Sequence, residues 1–248
     1  MIFYGVTMEK IRLQKYFTDC KIMSRRAAEA EIAAGKVTVN GAVAAVGDKV
    51  DPAADVVVWN GRTLQYPTGE HVYIMLHKPR GYLTAMSDDR GRKCVSELVR
   101  GVGSRVYPVG RLDLNSEGLL LMTDDGELAN LLTHPRHAVG KVYNVSVRGE
   151  IDDEKLARLR APMVIDGYKT QGAEVAVIET HEGGGKLRIT LYEGRNREIR
   201  KMCEQAHLAV GRLCRVQIGE IKLDNLALGK WRALSPAQIA YLTRLKTK

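Results

Sequence analysis

Apolar positions near the start of the chain have a helical spacing. Residues 11–17 have the pattern of a short amphipathic helix. Ser24 is a suitable N-cap for a second helix over residues 25–34, and Gly35 suits the C′ position that ends it. The sequence therefore predicts a pair of short helices.

An alternating pattern typical of β-structure follows these helices. In "KVTVNGAVAAV", Asn40-Gly41 suits a type I′ turn between two alternating strands, which predicts a hairpin. "VVVWNG" supplies another strand and turn, so that a small module closes near residue 65. The segment "YPTGEH" (66–71) is interpreted as a linker.

The remainder of the chain, residues 71–248, alternates strand-like runs with short helical segments. The predicted strands are "HVYIML", "GLLLMT", "KVYNVSVRG", "AEVAVIE", "KLRITLYEG" and "CRVQIGEIKL". The predicted helices are "GELANLLTH", "REIRKMCEQAHLA" and "SPAQIAYLTRL", the last with Ser235 as its N-cap. This pattern indicates an α+β chain with a sheet-rich second domain.

The net charge of +9 is unevenly distributed. Residues 195–248 hold twelve basic and four acidic side chains, whereas residues 71–194 hold seventeen of each. A second basic region, residues 9–36, holds seven basic and four acidic side chains. Two separated basic regions are expected if an extended polyanion docks on the protein, and nucleic acid is the obvious candidate.

Other features of the sequence exclude several classes of protein. No apolar run approaches the ~20 residues of a membrane helix, and "MIFYGVTM" lacks the basic flank and length of a signal peptide. The four cysteines show no two-residue spacing of a zinc or redox motif. We therefore expect a cytoplasmic protein with reduced cysteines, no membrane association and no metal site.

The stretch "PVGRLDLNSEGLLLMTDDG" (108–126) places Asp113 in a polar turn directly before a wholly apolar run. Asp113 and Glu117 could form the carboxylate pair of a glycosidase, but the turn between them leaves their separation open. Asp124 and Asp125 follow the apolar run and are expected at its other end, too far away for a shared magnesium site.

A third possibility is a single ionised aspartate beside arginines. A nearby cation lowers the pKa of a carboxylate and keeps it charged even when it is desolvated. Such an aspartate can act as a nucleophile or as a base at a sugar carbon. The stretch "YEGRNREIRK" supplies Arg195, Arg197 and Arg200 as candidate partners, although some of them could instead bind phosphate.

The stretches "RLQKYF", "SRRAAEAEIAAGKVTVNG" and "GDKV" resemble the alpha-L RNA-binding motif, which was first known from small-subunit ribosomal protein four. In that family the two helices present basic side chains to the RNA backbone. The resemblance implies an RNA-binding role for five side chains: Arg12, Lys15, Arg25, Arg26 and Lys36.

Three further motifs, "GRLDLNSEGLLLMTDDGELANLLTHP", "KVYNVSV" and "EGRNREIRKMCE", are similar to those of the pseudouridine synthases of the RsuA/RluB type. The resemblance covers essentially the whole chain, because these enzymes also carry the N-terminal module. It implies an alpha-L RNA-binding domain over 8–68 and a catalytic domain over 71–248. The expected catalytic domain has a mixed, mostly antiparallel central sheet with helices around a cleft.

The family isomerises uridines of ribosomal RNA to pseudouridine without a cofactor or metal. By motif, Asp113 corresponds to the essential catalytic aspartate, and Tyr143 to the tyrosine that stacks on the base. Arg200 corresponds to the basic residue that pairs with the aspartate, Ile199 to an apolar contact with the base, and Arg111 to an arginine that holds the site open.

Arg195 and Arg197 are expected to bind RNA. Glu117 lies where the family often has Thr-Ser-Gly, so no role transfers to it.

Several alternatives remain open at the level of sequence. The accessory module favours the large-subunit branch of the family, but a small-subunit uridine is possible. A non-catalytic ribosome-assembly factor would use the same basic surfaces, and an RNA N-glycosylase would release free uracil. The expected partner is ribosomal RNA or a pre-ribosomal particle, with the protein acting as a monomer and without a small-molecule cofactor.

Overall fold

A computed structural model describes residues 9–67 and 69–246, and the chain divides into two compact units after His71. The limits Met8, Thr68 and Lys248 of the expected domains lie outside the described residues, as does the N-terminal stretch "MIFYGVTM". Within the described ranges, no helix combines the length and apolar character needed to cross a membrane.

The described part of the first unit consists of two short helices and two small sheets. Its elements are β1 (Ile11–Arg12), α1 (Leu13–Asp19), α2 (Arg25–Ala33), β2 (Val37–Val39), β3 (Ala42–Val43), β4 (Lys49–Val50), β5 (Val57–Trp59) and β6 (Arg62–Thr63). Strands β3-β2-β5-β6 form an antiparallel sheet, and β1 pairs with β4.

Local signals in the sequence account for most of this unit. The Ser24 hydroxyl accepts a hydrogen bond from the Ala27 N–H and caps α2, as predicted. Asn40 and Gly41 both have positive φ, which a type I′ hairpin requires. The first helix begins at Leu13 rather than Ile11, because Ile11 and Arg12 pair with β4.

The predicted linker begins too early. The Tyr66 hydroxyl donates to Asp19, and the Tyr66 ring lies 5.1 Å from that of Tyr16, which is buried in the core of this unit. Tyr66 therefore belongs to the first unit, since its aromatic ring packs on the core that α1 helps to form.

The second unit is built on a nine-stranded sheet with the order β13-β14-β10-β15-β9-β7-β17. Two short strands extend it, since β8 pairs with β9 and β16 pairs with β15. The strands are β7 (Tyr73–Lys78), β8 (Tyr107–Pro108), β9 (Glu117–Thr123), β10 (Lys141–Arg148), β11 (Val164–Ile165), β12 (Tyr168–Lys169), β13 (Glu174–His181), β14 (Gly184–Leu191), β15 (Ala209–Ile218), β16 (Ile221–Lys222) and β17 (Trp231–Ala233).

The sheet is mixed and mostly antiparallel, as expected. Its strand pairs are antiparallel except for β9 and β15, which run parallel. The predicted single strand "CRVQIGEIKL" is instead two strands, because the chain turns at Gly219 and pairs β16 back onto β15. Strands β11 and β12 form a separate small hairpin.

The described part of the second unit has four α-helices and two 3₁₀ helices in addition to the sheet. The α-helices are α3 (Gly126–Thr133), α4 (Asp153–Arg160), α5 (Glu198–Gln205) and α6 (Pro236–Lys246), and the 3₁₀ helices span Val95–Val102 and Pro135–His137. The pattern missed α4 and the helix at Val95–Val102. Ser235 accepts a hydrogen bond from the Gln238 N–H at the start of α6, as predicted.

The apolar run before Asp124 is explained by burial on both faces of β9. Leu119 and Leu121 pack in the cluster that includes α3 and α6, whereas Leu120 and Met122 pack on the opposite face with the helix at Val95–Val102. A strand that is covered on both faces is expected to be continuously hydrophobic rather than alternating.

Gly118 permits the close parallel approach of β9 to β15. It has φ of +115°, and a Cβ atom there would lie 2.2 Å from the Arg215 carbonyl oxygen. A side chain would therefore meet both backbone strain and a clash with backbone atoms that cannot rotate away. The pairing of Gly118 with Arg215 fixes where β9 begins relative to β15.

We predict that Gly118→Ala lowers the free energy of unfolding by about 3 kcal/mol or more, because strain and overpacking add. Urea denaturation measures this change. Gly103→Ala is the matched control, since Gly103 has φ of +74° but has nothing within 4 Å of its added Cβ. An equal loss in the two variants would contradict the role of close strand approach.

Candidate active site

A cavity of about 240 Å³ lies in the second unit. Its floor is formed by β10 and β15, and its walls by the loops 109–116 and 194–199. Six of the site residues expected from the sequence line it: Arg111, Asp113, Tyr143, Arg195, Arg197 and Ile199. These residues come from three distant segments, which the sheet brings to one place.

Asp113 is held by hydrogen bonds to its backbone rather than to its carboxylate. Its carbonyl oxygen accepts from the Ser116 N–H at 3.0 Å and from the Lys78 ammonium group at 3.0 Å. Within the described ranges, the carboxylate has no hydrogen-bond or ion-pair partner. The half-buried side chain therefore faces the cavity with its acceptor oxygens unused.

Lys78 anchors this loop from inside the protein. It is fully buried at the end of β7, and its ammonium group also donates to the carbonyl oxygens of Pro79 and Ser116. Burial lowers its pKa to about 8, an effect that the nearby negative charge of Asp113 partly offsets. Three carbonyl acceptors match the three donors of a protonated lysine.

Arg200 lies beside this loop but does not form an ion pair with Asp113 in the described structure. Its guanidinium Nη2 donates to the Asn115 carbonyl oxygen at 2.9 Å, and its Nε is buried without a partner. Burial and the positive charge of Arg197 lower the pKa of Arg200, while Asp113 opposes this shift. Arg200 thus interacts electrostatically with the aspartate and keeps one N–H unused.

Tyr143 and Ile199 form apolar surfaces of the cavity. Tyr143 is half-buried on β10, directly opposite Arg215 on β15 and on the same face of the sheet. Ile199 is buried in the first turn of α5. An aromatic ring and a branched aliphatic side chain on the walls of one cavity can enclose a planar ligand.

Exposed arginines surround the mouth of the cavity. Arg111, Arg195 and Arg197 are all exposed. The Arg195 guanidinium stacks over the Tyr168 ring at 3.4 Å, and its backbone N–H donates to Glu198. Arg197 has φ of +54° immediately before α5, a conformation that turns the chain into the helix.

Glu198 and Glu193 are both buried beneath the loop that carries these arginines. Each has one carboxylate oxygen that is buried without a hydrogen-bond donor in the described structure. Burial and the neighbouring Glu193 raise the pKa of Glu198 to about 7. The Arg195 Nε lies 3.7 Å from the Glu193 oxygen that lacks a donor, and a protonated Glu198 can donate a hydrogen bond to Glu193.

Glu117 is not part of a carboxylate pair with Asp113 in the cavity. It is buried at the start of β9, where it accepts from Arg212 at 2.6 Å and lies 3.4 Å from Arg80. One of its carboxylate oxygens lies within 4.8 Å of the side-chain atoms of His77 and Cys214 that could ligate a metal. The carboxylate is, however, already neutralised by the two arginines. Asp124 and Asp125 lie at the other end of β9, and Asp125 caps α3.

The five basic residues expected to bind RNA are all part of the first unit. Arg12 donates to the Gly47 carbonyl oxygen, Lys15 pairs with Asp19 at 2.7 Å, and Lys36 pairs with Glu31 at 2.9 Å. Arg25 and Arg26 are exposed and make no hydrogen bond or ion pair to the described part of the chain.

Comparison with known proteins agrees with the geometry of this site. Residues 72–205 match the family model of RNA pseudouridylate synthase. The ribosomal large subunit pseudouridine synthase B of Bacillus subtilis is 38% identical over 94% of this chain and 96% of its own. The protein of the same description from Haemophilus influenzae is 39% identical over 94% of this chain and 67% of its own.

The chain belongs to the RNA pseudouridylate synthase family. It is therefore an isomerase that acts on uridine in RNA, as the sequence motifs implied. A crystal structure described as a pseudouridylate synthase aligns with a TM-score of 0.66 over 94% of this chain and 99% of its own. Because that pair is only 24% identical, the likeness supports the fold alone.

Sequence reasoning missed three groups in this pseudouridine synthase: Lys78, Arg215 and Glu198. Each is a charged residue with little or no exposure, and the first two lie at or near strand positions where the pattern predicts apolar side chains. A charge in a predicted strand is the signal that could have found them, since buried charges are rare unless they are paired or functional.

We predict that Glu198→Gln changes how stability depends on pH. A carboxyl group whose folded pKa of about 7 lies above its unfolded value of ~4.3 stabilises the fold at low pH and loses that contribution as pH rises through 7. The free energy of unfolding of the wild type should therefore fall relative to Glu198→Gln between about pH 5 and 8, by on the order of 3 kcal/mol. Thermal or urea denaturation across this range measures the difference.

Glu182→Gln, which removes an exposed carboxyl group from the turn between β13 and β14, is the control and should follow the wild type. Parallel curves for wild type and Glu198→Gln would mean that the folded protein does not raise the pKa of Glu198.

Proposed function

We propose that this enzyme converts a specific uridine of ribosomal RNA, in the large subunit in preference to the small, to pseudouridine through Asp113. The relatives from Bacillus subtilis and Haemophilus influenzae are described as large-subunit enzymes, and they are similar to this chain over nearly its full length. The preference agrees with the resemblance of the accessory module to the large-subunit branch.

One observation carries the assignment of Asp113. The carboxylate faces the cavity with both oxygens unpaired within the described ranges, while its backbone is held by Lys78 and Ser116. A structural aspartate is normally satisfied by donors from its surroundings, as Asp125 is at the start of α3. An unsatisfied but rigidly positioned carboxylate is instead available to a substrate.

The reaction makes demands that this cavity meets. Isomerisation breaks the N1–C1′ bond, turns the uracil and joins C5 to C1′, and water must be excluded so that the sugar is not hydrolysed. Asp113 could attack C1′, abstract the C2′ proton or add to C6 of the uracil, and the geometry is compatible with all three routes. The reaction neither adds an atom nor changes the oxidation state overall, so the proposal includes no cofactor.

The other cavity residues have roles that fit their positions. Tyr143 would stack on the unstacked base and offset part of the cost of extruding it, with Ile199 as the apolar contact on another wall. Arg200, which lies beside the loop of Asp113, would pair with Asp113 during the reaction through the N–H that is buried without a partner in the described structure. Arg111, exposed at the mouth, would hold the RNA open after the nucleotide has flipped out.

Phosphate groups of the RNA belong at the rim of the cavity. Arg195 and Arg197 are exposed on the loop before α5 and can neutralise phosphates without burying them. Binding by the RNA backbone at this rim would orient the flipped nucleotide towards Asp113.

We propose that residues 9–67 act as an alpha-L RNA-binding domain. The helix pair and hairpin agree with the resemblance, and Arg25 and Arg26 at the start of α2 are exposed and unpaired within the described ranges. Lys15, Lys36 and Arg12 already have protein partners, so they would exchange these partners for RNA phosphates or contribute less. The proposed partner is ribosomal RNA or a pre-ribosomal particle, bound by a cytoplasmic monomer.

We predict that Asp113→Asn abolishes pseudouridine formation on ribosomal RNA fragments, because the amide cannot serve as nucleophile or base. RNA affinity and the free energy of unfolding should be retained, since the carboxylate makes no hydrogen bond within the described chain. Mass-spectrometric or chemical detection of pseudouridine gives the readout. Asp224→Asn, at an exposed acidic residue of the same unit, is the control.

Turnover by Asp113→Asn close to that of the wild type would remove the catalytic assignment. Binding without product by the wild type would favour a non-catalytic assembly factor, and release of free uracil would favour an N-glycosylase.

We predict that the double charge reversal Arg25→Glu/Arg26→Glu weakens binding to ribosomal RNA and reduces the slope of log affinity against log salt by about 2, one unit for each phosphate that is no longer neutralised. Fluorescence anisotropy at several salt concentrations measures both quantities. Arg62→Glu, on β6 of the same unit and outside the helix pair, tests whether any loss of positive charge has this effect. An unchanged slope in the double variant would exclude this surface as the place where RNA binds.

A further inference from the structure

Arg215 is a buried cation in the cavity that the family motifs do not assign. It lies on β15, it is 3% exposed, and it lines the cavity on the same face of the sheet as Tyr143. Its Nε donates to the Leu119 carbonyl oxygen at 2.8 Å, and its Nη1 lies 3.5 Å from the Arg111 carbonyl oxygen. These contacts fix the orientation of the guanidinium group.

The remaining nitrogen of Arg215 has no acceptor among the described residues. Nη2 is buried, and it makes no hydrogen bond to this part of the chain. An unsatisfied donor on a buried charged group is costly, and native proteins rarely retain one without a functional reason. An acceptor that arrives with the ligand would satisfy this group.

The position of Arg215 favours a nucleobase over a phosphate as this ligand. Arg215 lies on the floor of the cavity among Tyr143, Leu213 and Ile218, whereas the exposed arginines lie at its mouth. A phosphodiester bound to the floor would lose its hydration, while at the rim it would keep much of it. A planar base stacked on Tyr143, directly opposite Arg215 across the two strands, would place its edge near Nη2.

The chemistry of isomerisation creates a suitable acceptor. When the C1′–N1 bond breaks, its electron pair stays on the uracil, whose negative charge is shared among N1, O2 and O4. The base then turns, C5 bonds to C1′ with a π-electron pair, the proton leaves C5, and N1 ends protonated. Addition of Asp113 to C6 would likewise place negative charge on a carbonyl oxygen, so all three routes need stabilisation at that position.

We propose that the Nη2 group of Arg215 donates to a carbonyl oxygen of the uracil and stabilises the negative charge that develops there. A half-turn of uracil about its N3–C6 axis exchanges C5 with N1 and O4 with O2. One fixed donor therefore serves one carbonyl before the turn and the other after it. Preorganised donors of this kind act most strongly in a site from which water is excluded.

Lys141 is placed to assist Arg215 from the neighbouring strand. It lines the same cavity on β10, and its ammonium group donates to the Val139 carbonyl oxygen at 3.1 Å, which leaves two of its three N–H groups for other acceptors. Burial and the charge of Arg215 lower the pKa of Lys141. The two cations together make the floor of the cavity favourable for a negatively charged base.

This inference rests on the proposed function, because it takes the cavity as the uracil site. The test uses the full-length protein and ribosomal RNA fragments in which the target uridine is replaced by 2-thiouridine or 4-thiouridine. Sulfur is a much poorer hydrogen-bond acceptor than oxygen, so each replacement weakens the hydrogen bond to one carbonyl position. Single-turnover rates and RNA affinities are measured for wild type, Arg215→Lys, Arg215→Met and Arg160→Met.

We expect Arg215→Met to lower the single-turnover rate by about 100-fold or more, with RNA affinity retained. At least one thio substitution should slow the wild type but not slow Arg215→Met further, because that variant has no donor for the carbonyl. Arg215→Lys keeps the positive charge but replaces the guanidinium Nη2 with a shorter ammonium group, so it should fold and show a smaller thio effect than the wild type if the methionine variant is unstable. Arg160→Met removes a guanidinium that also donates to a carbonyl oxygen, that of Val175, but lies outside the cavity, and it should react normally.

Equal thio effects in wild type and both Arg215 variants would overturn the proposal, because Arg215 would then not contact a uracil carbonyl. A loss of rate that follows RNA affinity alone would assign Arg215 to phosphate binding instead. If Asp113→Asn is inactive while the Arg215 and thio effects are additive, only this inference fails. If Asp113→Asn is active, the proposed function fails.

Discussion

The Lys78 ammonium group donates to the carbonyl oxygens of Pro79, Asp113 and Ser116, and the geometry of the cavity depends on these three hydrogen bonds. A buried lysine costs free energy unless all its donors are satisfied, and here each has a backbone acceptor. The loop is therefore tied through its backbone to the end of β7. Because none of these bonds uses the carboxylate of Asp113, the same arrangement holds the residue in place and leaves its side chain for chemistry.

The arginines around the cavity of the second unit differ in burial according to their depth in the cavity. Arginines at the mouth of the cavity are exposed and suited to phosphates, whereas Arg215 is buried on the floor and faces an apolar, aromatic environment. Glu117, which the sequence offered as a possible partner of Asp113, is neutralised by Arg80 and Arg212 away from the cavity. Asp113 is therefore not paired with Glu117, and it lies in the cavity among several cations.

Much of the fold follows from local patterns, and the site follows from them only in part. The Ser24 cap, the Asn40-Gly41 turn and the main strands were predicted because each depends on neighbours in sequence. The helix α4 was missed. The stretch "CRVQIGEIKL" was interpreted as one strand, because the turn at Gly219 lies within a continuous strand-like pattern. The motifs predicted that Asp113 and Tyr143 belong to one site, and both line the cavity. The positions of buried Lys78 and Arg215 depend on contacts between distant strands, which no local pattern shows.

The most direct test of the account is a map of pseudouridines in ribosomal RNA from cells that lack this protein, complemented with wild type or with Asp113→Ala. We expect that one conversion in the large-subunit RNA is lost and that only the wild type restores it. Restoration by Asp113→Ala would contradict the assignment of the catalytic carboxylate. Persistence of every large-subunit pseudouridine in the deleted cells would contradict the proposed target.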